Sequence, residues 1–189
     1  MPDATTPKIM LIRHGEKPHD HYKGVTHLGN QNKHSLIVPG WARAGALAVL
    51  FRPFDGHFQH EALATPHHLY ATKPDSEGQS RRELELFYPL AVLLYLRIND
   101  EYDNSDVQYK AMAESAMAHD KPVLICWHHG TIPAVANYFL RGSKDTCPQI
   151  WDSARFDVVW VFDLQSDGTY SFTQVPQNLL DGDQNTPIN

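Results

Sequence analysis

Two clusters of ionisable residues, far apart in the chain, each follow a short apolar run. Arg13-His14-Gly15-Glu16 comes directly after Ile9 to Ile12, and His128-His129-Gly130 directly after Val123 to Trp127. An arginine offers a planar fork that matches two oxygens of a phosphate or carboxylate. A histidine titrates near neutral pH and can serve as nucleophile or proton carrier, and a glycine lets the backbone approach a ligand closely. Short apolar runs read as buried strands, and open α/β sheets place their ligands beyond the carboxyl ends of the strands. Either cluster alone would suit a surface turn. Two such strands side by side in a parallel sheet would instead turn both imidazoles towards one pocket.

The rest of the chain has to position these groups. Its 189 residues fit one domain, 1–189, large enough to bury a core without metal or disulfide staples. Apolar content of 42% and charged content of 20% are those of an ordinary soluble protein. A formal charge of −6 argues against a nucleic-acid or anionic-membrane partner, so any anion site must be built locally. Of the two cysteines, Cys126 lies in an apolar run and reads as a small buried hydrophobe, while Cys147 precedes Pro148 in a loop. The first residues lack the basic start and apolar stretch of a secretory signal, and no run is long enough to span a bilayer, so a cytoplasmic location is expected.

Between the clusters, Lys17 to Val38 has no sustained periodicity, and a loop of this length is usually functional. Its histidines, His19, His21, His27 and His34, include a pair flanking Asp20. No second ligand pair follows at a recognised spacing, so a solvated loop is preferred to a metal site. Trp41 to Phe51 has helical spacing, is introduced by Pro39-Gly40 and is stopped by Arg52-Pro53. Leu69 to Thr72 reads as a strand, followed by a loop to Gly78. Ser80 is placed to cap a helix, with Glu83 at the third position after it, and Pro89 should kink or break that helix before Leu96. Arg81 and Arg82 fall in its first turn, where a phosphate is favoured. Ile98 to Ser105 reads as an acidic loop, Tyr109 to His119 and Ala134 to Leu140 as helices, and Phe156–Phe162 and Thr169–Val175 as a β-hairpin around Ser166-Asp167-Gly168. Residues 1–7 and 181–189 are expected to be flexible tails.

Leu11-Ile12-Arg13-His14-Gly15-Glu16 resembles the defining motif of the histidine phosphatase (phosphoglycerate mutase-like) superfamily, and Cys126 to Gly130 resembles its second histidine motif. Gln79 to Ala91 is similar to the segment that carries the family's middle arginine, with Arg82 at the matching place and Leu86 where threonine is common. The resemblance implies a three-layer α/β/α sandwich with a mostly parallel central sheet, to which the hairpin adds. It implies that His14 is the nucleophile and forms a phosphohistidine, and that His129, directly before glycine, is the second catalytic histidine, with His128 beside it. Arg13, Arg82 and Gly15 would bind the phosphate, and Gly40 matches a glycine that precedes a helix packed on the sheet. Asp100, Glu101 and Glu16 are the candidates for general acid, since Gly130 occupies the place where some members have aspartate. No cofactor or metal is implied, and the partner is a small phosphorylated substrate. The chain lacks an obvious insertion for a second phosphate, which favours a metal-independent phosphatase acting on a monoester over phosphoglycerate mutase-type transfer. The departures in the middle motif keep a non-catalytic phosphate-binding module as the alternative of a different class.

Overall fold

The computed structural model describes residues 7–75 and 81–189. Ser80, expected as a cap, and the first six residues of the expected N-terminal tail lie outside them. Six strands, β1 (Lys8–Arg13), β2 (His68–Ala71), β3 (Ile98–Asn99), β4 (Val123–Trp127), β5 (Val158–Leu164) and β6 (Tyr170–Pro176), form one sheet in the order β3-β2-β4-β1-β5-β6. The first four of that order run parallel, and β5 and β6 are antiparallel additions. Every residue of β1 and β4 is buried, which is why both read as continuous apolar runs rather than as alternating ones.

The helices are α1 (Val38–Phe51), α2 (Arg81–Leu94), α3 (Asp106–Met117) and α4 (Ile132–Phe139). Strand side chains alternate between two cores, as the pleat requires. Met10, Ile12, Leu124 and Cys126 pack with Leu47 and Phe51 of α1 and Leu86, Phe87 and Leu90 of α2. Ile9, Leu11, Ile125 and Trp127 pack with Met112 of α3 and Val135 and Phe139 of α4. The result is the expected three-layer α/β/α sandwich with a C-terminal hairpin.

Four details depart from the sequence reading. Helix α1 begins at Val38, earlier than expected, because Pro39 sits in its first turn, where a missing N–H costs nothing. Helix α2 continues through Pro89 and ends where Tyr95 adopts a left-handed conformation (φ 55°) and the Leu96 amide bonds to the Ala91 carbonyl (3.0 Å). The acidic loop contains the two-residue edge strand β3, too short to show a period. The C-terminal segment 181–189, expected to be flexible, is tied down. Asp183 pairs with buried Arg43 (2.7 Å), Arg155 donates to the Thr186 carbonyl (2.7 Å), and Ile188 is buried and exchanges hydrogen bonds with the Gln174 side chain (3.0 and 2.9 Å). No helix among the described residues is long and apolar enough to cross a membrane.

Helix α1 meets the loop after β1 through two glycines. A methyl group on Gly40 would lie 2.7 Å from the Glu16 carbonyl oxygen, and one on Gly15 would lie 3.2 Å from the Gly40 Cα. Gly40→Ala gains about 1 kcal/mol of helix propensity, but the new contact is with backbone and cannot rotate away. We expect a net destabilisation of about 1–2 kcal/mol, seen as a lower urea midpoint; a midpoint at or above that of the wild type would show that the loop relaxes freely.

Candidate active site

The in-register pairing of β1 with β4 sets Ile12 against Cys126 and Arg13 against Trp127. His14 and His128 therefore leave neighbouring strand ends together, and His129 follows one residue later. On the other flank of β4, Ala71 pairs with Cys126, and the Thr72 hydroxyl accepts a hydrogen bond from the His128 amide (3.0 Å). The His14 and His129 rings stand edge to face with centroids 6.1 Å apart. His128 packs against His129 at 4.8 Å, and a side chain at Gly130 would meet the His128 ring at 3.2 Å.

His14 is buried, and its Nδ1 lies 2.6 Å from the Gly15 carbonyl oxygen. A carbonyl only accepts, so Nδ1 carries the proton and Nε2 keeps its lone pair. Nε2 faces the Arg13 guanidinium at 3.5 Å, which likewise can only donate. Burial, then the charges of Arg13 and Arg82, hold the His14 imidazole well below its usual range, so it is neutral at pH 7. This is the form that can act as a nucleophile.

Arg13 is fully buried and fixed by the Ser153 and Arg155 carbonyls (2.8 and 3.2 Å), with Phe156 stacked 4.0 Å from its guanidinium carbon. Burial lowers it to about 10, which leaves it cationic. Arg82 reaches the His34 carbonyl at 3.4 Å, and its Nε is buried without a partner. Its charge is felt by His14, His128 and His129. Arg81 instead turns to Glu85 (3.8 Å), so of the two it is Arg82 whose charge reaches all three histidines. Burial, followed by Arg13, His128, Lys17 and Arg82, pushes His129 down to about 4. It is a neutral imidazole at pH 7, and its Nδ1 is buried and unpartnered.

The candidates for general acid fare differently. Both oxygens of Glu16 are engaged by Arg43 (2.7 to 3.3 Å), which also holds Gln177 and Asp183. Glu16 thus fastens the loop after β1 to α1 and, through Arg43, to the C-terminal segment. Asp100 and Glu101 are exposed after β3, and among the described residues no hydrogen bond or ion pair joins either to the pocket.

The structure adds residues that the sequence reading did not select. Lys17 and Thr72 lie at the pocket, and Phe156 is packed against both Arg13 and His14 (ring centroids 5.9 Å). Most telling is Glu83, fully buried on α2 with neither carboxyl oxygen hydrogen bonded. Its position was visible in the spacing Glu83, Leu86, Phe87, Leu90, the stripe of α2 that faces the sheet, but a capping-box reading had accounted for it.

No protein-family model and no curated protein matches this sequence. Solved structures do match its fold. A mycobacterial glucosyl-3-phosphoglycerate phosphatase in its native form superposes with a TM-score of 0.52 at 13% identity, covering 93% of this chain and 100% of that one. The same enzyme complexed with VO3 gives 0.50 at 13%, covering 89% and 97%. At this identity the likeness is one of fold.

Burial raises the Glu83 carboxyl from 4.5 to about 7, against the pull of its own backbone N–H and then of Arg82 and Arg13. Below 4.5 both folded and unfolded chains hold this proton; between 4.5 and about 7 only the folded chain does, so stability falls as pH rises, by roughly 3 kcal/mol in full. Glu83→Gln removes this term. Its stability advantage over the wild type should widen by roughly 2–3 kcal/mol between pH 5 and 8 in chemical denaturation; a pH-independent difference would contradict the assignment.

Proposed function

We propose that the protein is a phosphatase that transfers the phosphoryl group of a small phosphate monoester first to His14 and then to water. The observation that carries this reading is the His14 tautomer, neutral with its proton on Nδ1 and its Nε2 lone pair facing the Arg13 guanidinium, with Arg82 and His129 close by. Phosphoryl transfer spreads charge over three non-bridging oxygens, and fixed donors converging on one volume stabilise it.

In the first step the His14 Nε2 lone pair attacks phosphorus, the P–N bond forms, and the ester P–O bond breaks with its electron pair leaving on the alcohol oxygen. In the second, water attacks the phosphohistidine, the P–N bond breaks, and inorganic phosphate and neutral His14 are released. Arg13 and Arg82 hold the equatorial oxygens throughout. His129 begins neutral and offers an N–H, and the approach of a dianion raises its affinity for a proton. A cytoplasmic location fits this chemistry and the composition.

An aryl phosphate needs little help with its leaving group, so it is the substrate that tests the nucleophile without presupposing an acid. Phosphate release should be measurable in the presence of EDTA, be lost in His14→Ala, and fall about 10²–10³-fold in kcat for Arg82→Gln, the usual cost of one such donor. Turnover that survives His14→Ala, or that EDTA abolishes, would overturn the reading.

A further inference from the structure

Glu83 is a buried carboxyl that the proposed chemistry does not use. It follows Arg82 directly, its side chain has no solvent exposure, and both carboxyl oxygens lack a hydrogen-bond donor. The side chain nitrogens Arg13 Nε and Arg82 Nε are also buried and unpartnered. The charged and titratable groups that face Glu83 are Arg82 and Glu85 on its own helix, Arg13 from β1 and Cys126 from β4. Cys126 is fully buried and held well above its usual range, by burial first and then by Glu83, so it stays a neutral thiol. Glu85 is committed to the Ser35 hydroxyl and the Leu36 amide (2.8 and 2.9 Å). The Glu83 amide aside, Arg13 and Arg82 are the groups that compensate an ionised Glu83, and they are the same two cations that the phosphoryl group needs.

Building on the reading of this pocket as a phosphoryl site, we propose that Glu83 is its charge-balancing residue, taking up one proton when a dianionic phosphoryl group enters and releasing it when the group leaves. A dianion matches the two guanidinium charges in full. The carboxylate is then left in a solvent-free position with nothing opposite it, and an uncompensated buried charge is relieved by protonation. The step balances as carboxylate plus one proton from bulk water giving the carboxylic acid, with no other bond changed. The free protein is poised for it, since burial already brings this carboxyl to about 7. Glu83 acts through Arg13 and Arg82, and so is a positioning residue.

Sulfate is the probe, because it stays a dianion across the relevant pH range while phosphate does not. Calorimetric titration of the whole protein with sulfate, in buffers of differing ionisation enthalpy, counts the protons taken up. Near pH 7.5 the wild type should take up roughly three-quarters of a proton per sulfate, rising towards one at about pH 8.5, and its affinity should weaken by up to about tenfold per pH unit above 7. Glu83→Gln, which imitates the protonated form, should bind sulfate with affinity nearly independent of pH from 7 to 9 and without that uptake; Glu83→Leu serves if the amide is not tolerated. Sulfate binding by the wild type without proton uptake, or the same uptake in the Glu83 variants, would overturn this inference and leave the phosphatase reading standing. Failure of the wild type to bind sulfate or to release phosphate would overturn both.

Discussion

Everything at this site depends on the parallel, in-register pairing of β1 with β4. It turns two histidines separated by more than a hundred positions in the sequence into neighbours at one strand edge. The strands are held there from both faces, by α1 and α2 on one side and by α3 and α4 on the other, so neither can slip without moving alternate side chains to the wrong core. A slip of one residue would carry His14 away from His129 and set Arg13 in the place of Ile12.

Desolvation then sets the protonation states. Burying His14 beside two arginines keeps it neutral, and a single carbonyl contact, from Gly15, chooses which nitrogen keeps the lone pair. Arg13 is held by carbonyls from a segment whose Arg155 is itself pinned to the C-terminal residues through the Thr186 carbonyl. The last residues of the chain thus help to orient the first arginine. The same desolvation makes Glu83 costly when ionised, an expense that a ligand-free scaffold would have no reason to carry.

Much of this was legible in the sequence. The strand-then-histidine grammar picked out His14 and His129, whose rings the structure brings within 6.1 Å, and Arg81, which the sequence set beside Arg82, turns towards Glu85. What escaped did so for physical reasons. Glu16 lies two residues from His14 in sequence, but its side chain runs back to Arg43, a partner 27 positions away that no local pattern reveals. Glu83 had a ready explanation as a capping residue, and only three-dimensional burial distinguishes a cap from a carboxylate under a pocket. The polar composition of residues 181–189 suggested mobility, yet Arg43 and Arg155 supply enough fixed donors to hold them. Strand β3 has too few residues for a period to appear.

The proposed chemistry stands or falls on the His14 imidazole accepting the phosphoryl group. Acid- and base-quench trapping, on the millisecond scale with an aryl phosphate and followed by peptide mass spectrometry, tests it most directly. The account predicts an acid-labile, base-stable phosphoryl group on His14 in the wild type and none in His14→Ala. Multiple turnovers with no such intermediate, or with the phosphoryl group on another side chain, would contradict it.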